Sequence, residues 1–146
     1  MSILISTNLL KQIHNHGEIT YPEEGAGLLL GPNSGIEKTI TDIIQLTNAR
    51  EETARHNRYL ISPEAMLKAE RTAIRDGLEI LGIFHSHPDH PNFPSDFDLQ
   101  LALPFYTYII TSVHNGQAST SRAWRMRDNR SGFDEETIYQ DITISA

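Results

Sequence analysis

The stretch from Leu81 to Leu99 reads LGIFHSHPDHPNFPSDFDL. The apolar run from Ile80 to Phe84 leads straight into two histidines and predicts a buried strand. Successive side chains on a strand point to opposite faces, so His85 and His87, two apart, point the same way. Pro88 cannot donate to a strand ladder and ends the strand. Pro91 and Pro94 stiffen the turn back. Ser95 then caps a short helix that begins at Asp96, with Asp98 at its third position. A His-x-His pair alone is an ordinary surface feature, and so is a Ser-x-x-Asp cap. Within one strand–turn–helix unit they return a carboxylate to two imidazoles. His85, His87 and Asp98 leave a fourth tetrahedral position open, the pattern of a catalytic zinc site.

Working outward, the chain of 146 residues predicts one domain, 1–146, with enough length for a sizeable core. With 12 basic and 19 acidic side chains the net charge is −7, which argues against nucleic acid or an anionic membrane as partner. No apolar run reaches membrane-spanning length, and no signal-peptide pattern opens the chain. The absence of cysteine excludes a disulfide framework, a thiolate metal site and a cysteine nucleophile. A cytoplasmic protein is the simplest expectation.

The run His85-Ser86-His87-Pro88, followed after six residues by Ser95-x-x-Asp98, resembles the motif of the JAMM (MPN+, Mov34-like) zinc metalloproteases. The resemblance runs from about Tyr21 to Ile138 and is nearest the small bacterial members, the subgroup of the sulfur-carrier-protein–cysteine peptidases. It implies a catalytic glutamate upstream in a Pro-x-Glu-x-small-Gly-Leu setting. Pro22 to Gly31 reads PEEGAGLLLG and places that role on Glu24. Ala26 stands where the family often has cysteine, at a position that packs rather than reacts.

Further along the chain, Ser2 to Ile5 predicts a short edge strand. Ser6 or Thr7 caps a helix to about His16, closed by Gly17. His14 and His16, two apart on that helix, diverge by about 200° and are expected to be solvated. Glu18 to Pro22 reads as a linker, Gly25 to Leu30 as a buried strand, and Gly31 to Gly35 as a turn. Ile36 to Leu46 reads as one partly buried strand. Thr47 to Arg58 is a polar loop with a surface histidine, His56, and Arg58 to Ile61 a short strand. Ser62, Pro63 and Glu64 start a helix whose inner face carries Met66, Leu67, Glu70, Ala73 and Ile74, ended by Gly77. Phe105 to Val113 reads as a central strand. It turns at His114-Asn115-Gly116 into a returning strand, Gln117 to Met126, with Trp124 in the core. Thr137 to Ile144 is a last strand.

The pattern of strands and helices predicts a mixed α+β domain. The resemblance implies an α-β-α sandwich around a curved, mostly antiparallel or mixed sheet. It further implies one Zn2+ per chain on His85, His87 and Asp98, with Glu24 moving the proton of a water and Ser95 bonding the developing oxyanion. His90, between prolines, matches no ligand position. The implied activity is hydrolysis of an amide or isopeptide bond after the C-terminal Gly-Gly of a ubiquitin-like sulfur carrier, releasing an amino acid such as cysteine. Two other readings stay open: a peptidase for a phage-tail or cell-wall peptide, and a non-catalytic scaffold of the same fold.

Overall fold

Ser6 closes one element and opens the next. It ends strand β1 (Ser2–Ser6), and its hydroxyl accepts the Leu9 amide at 3.0 Å to cap helix α1 (Thr7–Thr20). In the computed structural model, which describes residues 1–32 and 35–141, the remaining elements follow in order. They are β2 (Ala26–Gly31), β3 (Lys38–Ile40), β4 (Asp42–Leu46), a 3-10 turn (Glu52–Ala54), α2 (Pro63–Arg75), β5 (Glu79–Pro88), α3 (Asp96–Leu101), β6 (Thr107–His114), β7 (Gln117–Met126) and β8 (Phe133–Asp141). Asn33 and Ser34 of the expected turn, and 142–144 of the expected last strand, lie outside the described residues.

The strands form one mixed sheet in the order β3-β1-β8-β7-β6-β5-β2-β4. The pairs β1–β3, β1–β8 and β5–β6 are parallel, and the others antiparallel. The sheet curves until its ends approach: beyond β3 the Thr41 amide donates to the Leu30 carbonyl of β2 at 2.9 Å. One face carries Ile3, Ile5, Leu29, Phe84 and Ile109 against Leu9, Leu10 and Ile13 of α1. The other carries Leu28, Ile83, Tyr108, Ile110, Trp124 and Met126 with Ala69 and Ala73 of α2. Helices therefore cover both faces, the α-β-α arrangement that the resemblance implies.

One pairing positions the site. Because β5 and β6 are parallel, the chain must cross over between them rather than turn back in a hairpin. That crossover, residues 89–106, contains α3 and brings Asp98 over the histidine-bearing face.

Several expectations need correction. β1 lies one strand in from the edge, between β3 and β8. Gly17 sits inside α1, which runs on through the expected linker to Thr20. There it allows close approach, since a Cβ at that position would press on Val113 and Ser86. The strand expected from Ile36 to Leu46 is broken at Thr41, and its halves pair with different partners, β1 and β2. No strand forms over 58–61; Leu60 is held instead through Ala49 and Asn48. In α2 the buried positions are Ala69 and Ala73, while Leu67 and Ile74 are exposed. The last strand begins at Phe133, four residues before the expected Thr137. His14 and His16 are half-buried rather than solvated: His14 Nε2 meets the Ser121 hydroxyl at 2.8 Å and His16 Nε2 the Ala26 carbonyl at 3.2 Å.

Candidate metal centre

Strand register alone brings three of the expected residues together. Ala26 of β2 pairs with His85 of β5. One step further, the Ser86 amide donates to the Gly25 carbonyl at 3.0 Å, and the Gly25 amide donates to the Ser86 hydroxyl at 2.8 Å. Continuing the register sets Glu24 opposite His87, on the same face as both imidazoles. Gly25 is required there, because a Cβ would collide with Thr20 and His16. Ligand atoms of Glu24, His85 and His87 all lie within 4.8 Å of one another.

Asp98 reaches the same point from α3. Ser95 and Asp98 form a reciprocal capping box: the Ser95 hydroxyl accepts the Asp98 amide at 3.1 Å, and Asp98 Oδ2 accepts the Ser95 amide at 2.8 Å. This locks the carboxylate toward the histidines, with Oδ1 at 3.2 Å from His85 Nε2 and Oδ2 at 3.1 Å from His87 Nε2. All four side chains are buried, Glu24 at 4% exposure and Asp98 at 7%.

The protons at this site decide what it can hold. His87 Nδ1 lies 2.7 Å from the Pro91 carbonyl. A carbonyl only accepts, so Nδ1 carries a hydrogen, which leaves Nε2, on the Asp98 side, as the nitrogen able to bind a metal when the ring is neutral. A metal-ligating histidine commonly donates its other N–H to a carbonyl in this way. His85 is buried with no hydrogen-bond partner at either ring nitrogen, and Glu24 Oε1 likewise has none. Buried polar atoms without partners are costly. The separations of 3.1 and 3.2 Å exceed the ~2.7–2.9 Å of a charge-assisted hydrogen bond. They approach the roughly 3.3 Å between two ligands that share a tetrahedral ion at about 2.0–2.1 Å. Two imidazole nitrogens and a carboxylate, converging at these separations in a buried site, fit a divalent cation such as zinc once the rings are neutral.

The two carboxylates are driven apart. Burial tends to raise the Asp98 pKa, but the His85 and His87 rings outweigh it and hold the group well below the usual carboxylate range. Burial likewise raises Glu24, and its longer approach to the imidazoles offsets this less, so it is pushed up to about 7. A group titrating near neutral pH is suited to taking and giving a proton.

A cleft of about 360 Å³ opens over Glu24, His87 and Ser95, walled by Asn57, His90, Pro91, Phe93 and Phe97. His90 thus lines the cleft, and His56 is exposed on the loop outside it. Several site residues were not singled out from the sequence. Phe93 and Phe97 flank Ser95, and aromatic residues among prolines beside a metal motif are a usable signal. Asn57 comes from a segment that reads as an ordinary polar loop, and Tyr59, with its ring 4.6 Å from that of His85, from one that reads as a short strand. Arg58 stacks 3.9 Å over Phe97 and fixes that wall.

Comparison with known proteins gives a consistent result. The family model for prokaryotic homologs of the JAB domain matches residues 6–127. A Thermus thermophilus protein named as a probable TtuB-protein conjugate cleaving protease is 32% identical over 108 residues, spanning 74% of this chain and 68% of that protein. A Pyrococcus furiosus desampylase is 50% identical over 42 residues, 29% of this chain and 30% of that one. A JAB1/MPN domain protein from Archaeoglobus fulgidus superposes with TM-score 0.59 at 21% identity, covering 94% of this chain and 98% of that one, and so shares the fold.

Proposed function

The chain belongs to the family of prokaryotic JAB-domain homologs, the JAMM/MPN hydrolases of peptide and isopeptide bonds, and from that premise we propose a specific activity for it. It is a zinc-dependent peptidase that cuts after the C-terminal Gly-Gly of a ubiquitin-like sulfur-carrier protein in the cytoplasm, releasing an amino acid such as cysteine. One observation carries the reading. Asp98 faces two imidazole nitrogens across a gap suited to a cation, while Glu24 beside them is pushed up to about 7.

In this reading His85, His87 and Asp98 hold one zinc. Zinc held there would supply Lewis acidity toward a water and toward the scissile carbonyl. Glu24 takes a proton from the water and later gives it to the leaving amine. Ser95 keeps two roles without conflict. Its oxygen accepts the Asp98 amide, and its hydrogen remains available to the developing oxyanion in the cleft. Phe93, Pro91 and Phe97 give the cleft apolar walls that exclude water around a narrow, extended glycine tail. The names of the Thermus and Pyrococcus relatives, a conjugate-cleaving protease and a desampylase, support a protein conjugate as substrate class. The net charge of −7 disfavours nucleic acid and anionic membranes, and among the described residues no helix is long and apolar enough to cross a membrane.

The test incubates zinc-loaded protein with a ubiquitin-like protein ending in Gly-Gly-Cys, then measures intact mass and bound metal. The expected product has lost one cysteine, and cleavage stops after chelation. His87→Ala protein should lose most of its zinc. Full zinc retention by that variant removes His87 from the ligand set. No cleavage of the carrier by zinc-loaded protein, with cleavage of a cell-wall or phage-tail peptide, moves the activity to that substrate. Cleavage of neither leaves a scaffold.

A further inference from the structure

Glu24 Oε1 is buried without a hydrogen-bond partner. The Glu24 backbone is held on both sides. On one side Gly25 and Ala26 are tied to β5. On the other, both backbone groups of Glu24 itself are held by the segment between β4 and α2. The Arg55 carbonyl accepts the Glu24 amide at 2.7 Å. The Glu24 carbonyl accepts from Asn48 Nδ2 at 2.9 Å.

Asn48 is the centre of that segment. Its Nδ2 donates a second bond, to the Arg58 carbonyl at 2.9 Å, and its Oδ1 accepts the amides of Arg50 and Leu60 at 3.1 Å each. Two donors and two acceptors fill the whole capacity of a carboxamide, and the residue is buried. The division of labour within the side chain is informative. The oxygen holds only the segment's own amides. The nitrogen makes the one bond that leaves the segment, to the Glu24 carbonyl, and joins it to the segment's own Arg58, whose guanidinium stacks on Phe97 in the cleft wall.

We propose that Asn48 is a positioning residue for the proton acceptor: its amide nitrogen clamps the Glu24 backbone to the cleft wall and so fixes where the carboxylate meets the His85–His87 pair. This rests on the reading of Glu24 as the general base. The effect is large because a displacement of about 1 Å at a reacting group costs on the order of 10²-fold in rate.

Asn48→Asp separates the two halves of the side chain. It keeps an oxygen for the Arg50 and Leu60 amides and removes both N–H donors. N48D, Glu24→Gln and the double variant are each loaded with zinc. They are compared for zinc stoichiometry, melting temperature, kcat and KM on the ubiquitin-like protein ending in Gly-Gly-Cys. The clamp predicts that N48D lowers kcat by about 10- to 100-fold with KM and zinc content unchanged. Added to Glu24→Gln, it should lower kcat by no more than about twofold, because both changes remove the same function. If N48D does not fold, Asn48→Ser, neutral and smaller, enters the same cycle. Near-normal kcat in the folded, zinc-loaded variant overturns the clamp. So does an equal loss in both backgrounds, the signature of a residue that only holds the loop. Wild-type turnover by Glu24→Gln overturns instead the general-base reading beneath it.

Discussion

Glu24 and Asp98 are both buried beside the same two imidazoles, yet one titrates near neutrality and the other far below it. This difference has a measurable consequence in the metal-free protein. Between the ordinary glutamate value of 4.5 and about 7, folded Glu24 keeps a proton that the unfolded chain has released. The folded state then binds more protons than the unfolded one, so stability falls as pH rises through that window. Above it, the total loss is on the order of 3 kcal/mol. Gln does not titrate. The stability gap between Glu24→Gln and wild type, both in chelator, should therefore widen from about pH 4.5 to about pH 7 and then level. Denaturant titrations across that range measure it, and a pH-independent gap would show that burial does not raise Glu24. Ser95 gives a second prediction. Ser95→Ala removes one cap, about 1 kcal/mol of stability, but also one oxyanion donor, about 10²–10³ in kcat. A variant that melts lower yet turns over normally would reduce Ser95 to a cap.

The decisive element is the turn from Asp89 to Pro94. It carries the Pro91 carbonyl that fixes the His87 tautomer, and it is pinned to β7 from the outside. Asn92 Nδ2 donates to the Thr120 carbonyl and hydroxyl at 3.0 and 2.9 Å, and its Oδ1 accepts Arg122 Nε at 3.2 Å. The Trp124 indole donates to the Asn92 carbonyl at 3.0 Å. Trp124 is thus in the core, as its pattern predicts, and also holds the metal turn. Asn92→Ala should weaken zinc binding by about 10- to 100-fold, the usual effect of loosening what orients a ligand. Competition with a chelator of known affinity reads this directly. Unchanged affinity would mean that the prolines alone set the turn.

At the scale of the whole molecule, the curved sheet is fastened at the end of β5 and β6 away from the histidines. Glu136 of β8 is buried, 2.8 Å from the Arg125 guanidinium of β7, and accepts the Thr107 hydroxyl of β6 at 2.6 Å. Lys38 of β3 donates to Thr107 and to the carbonyls of Leu81 and Phe105. Burial, with Arg125 adding to it, brings the Lys38 pKa down to about 8, against the pull of Glu136. Glu136→Gln leaves two cations there without their carboxylate and should cost about 3 kcal/mol or more. Denaturant unfolding should show that loss, while kcat and zinc content of the folded fraction stay near wild type. A matching fall in zinc affinity would show that sheet closure and the metal centre are coupled.

Local sequence determined the strand–turn–helix unit from Leu81 to Leu99. Alternation, proline placement and the Ser95-x-x-Asp98 box are short-range effects, acting within a few residues, and each is written in the side chains themselves. The same holds for the starts of α1 and α2 at Ser6 and Ser62, where one hydroxyl meets an amide three residues on. Glu24 was legible only through its resemblance motif, because nothing local separates it from Glu23; register with β5 is what buries one and not the other. Tertiary structure alone decided the break at Thr41, the interior place of β1, and the burial of Lys38, since these follow from which strands pair across a sheet that nearly closes on itself. It also decided that a polar loop would wall the cleft. Asn48 and Asn57 carry no periodic signal; Asn48 meets the Glu24 carbonyl, Tyr59 the His85 ring and Asn57 the cleft only once the fold has brought these distant segments together.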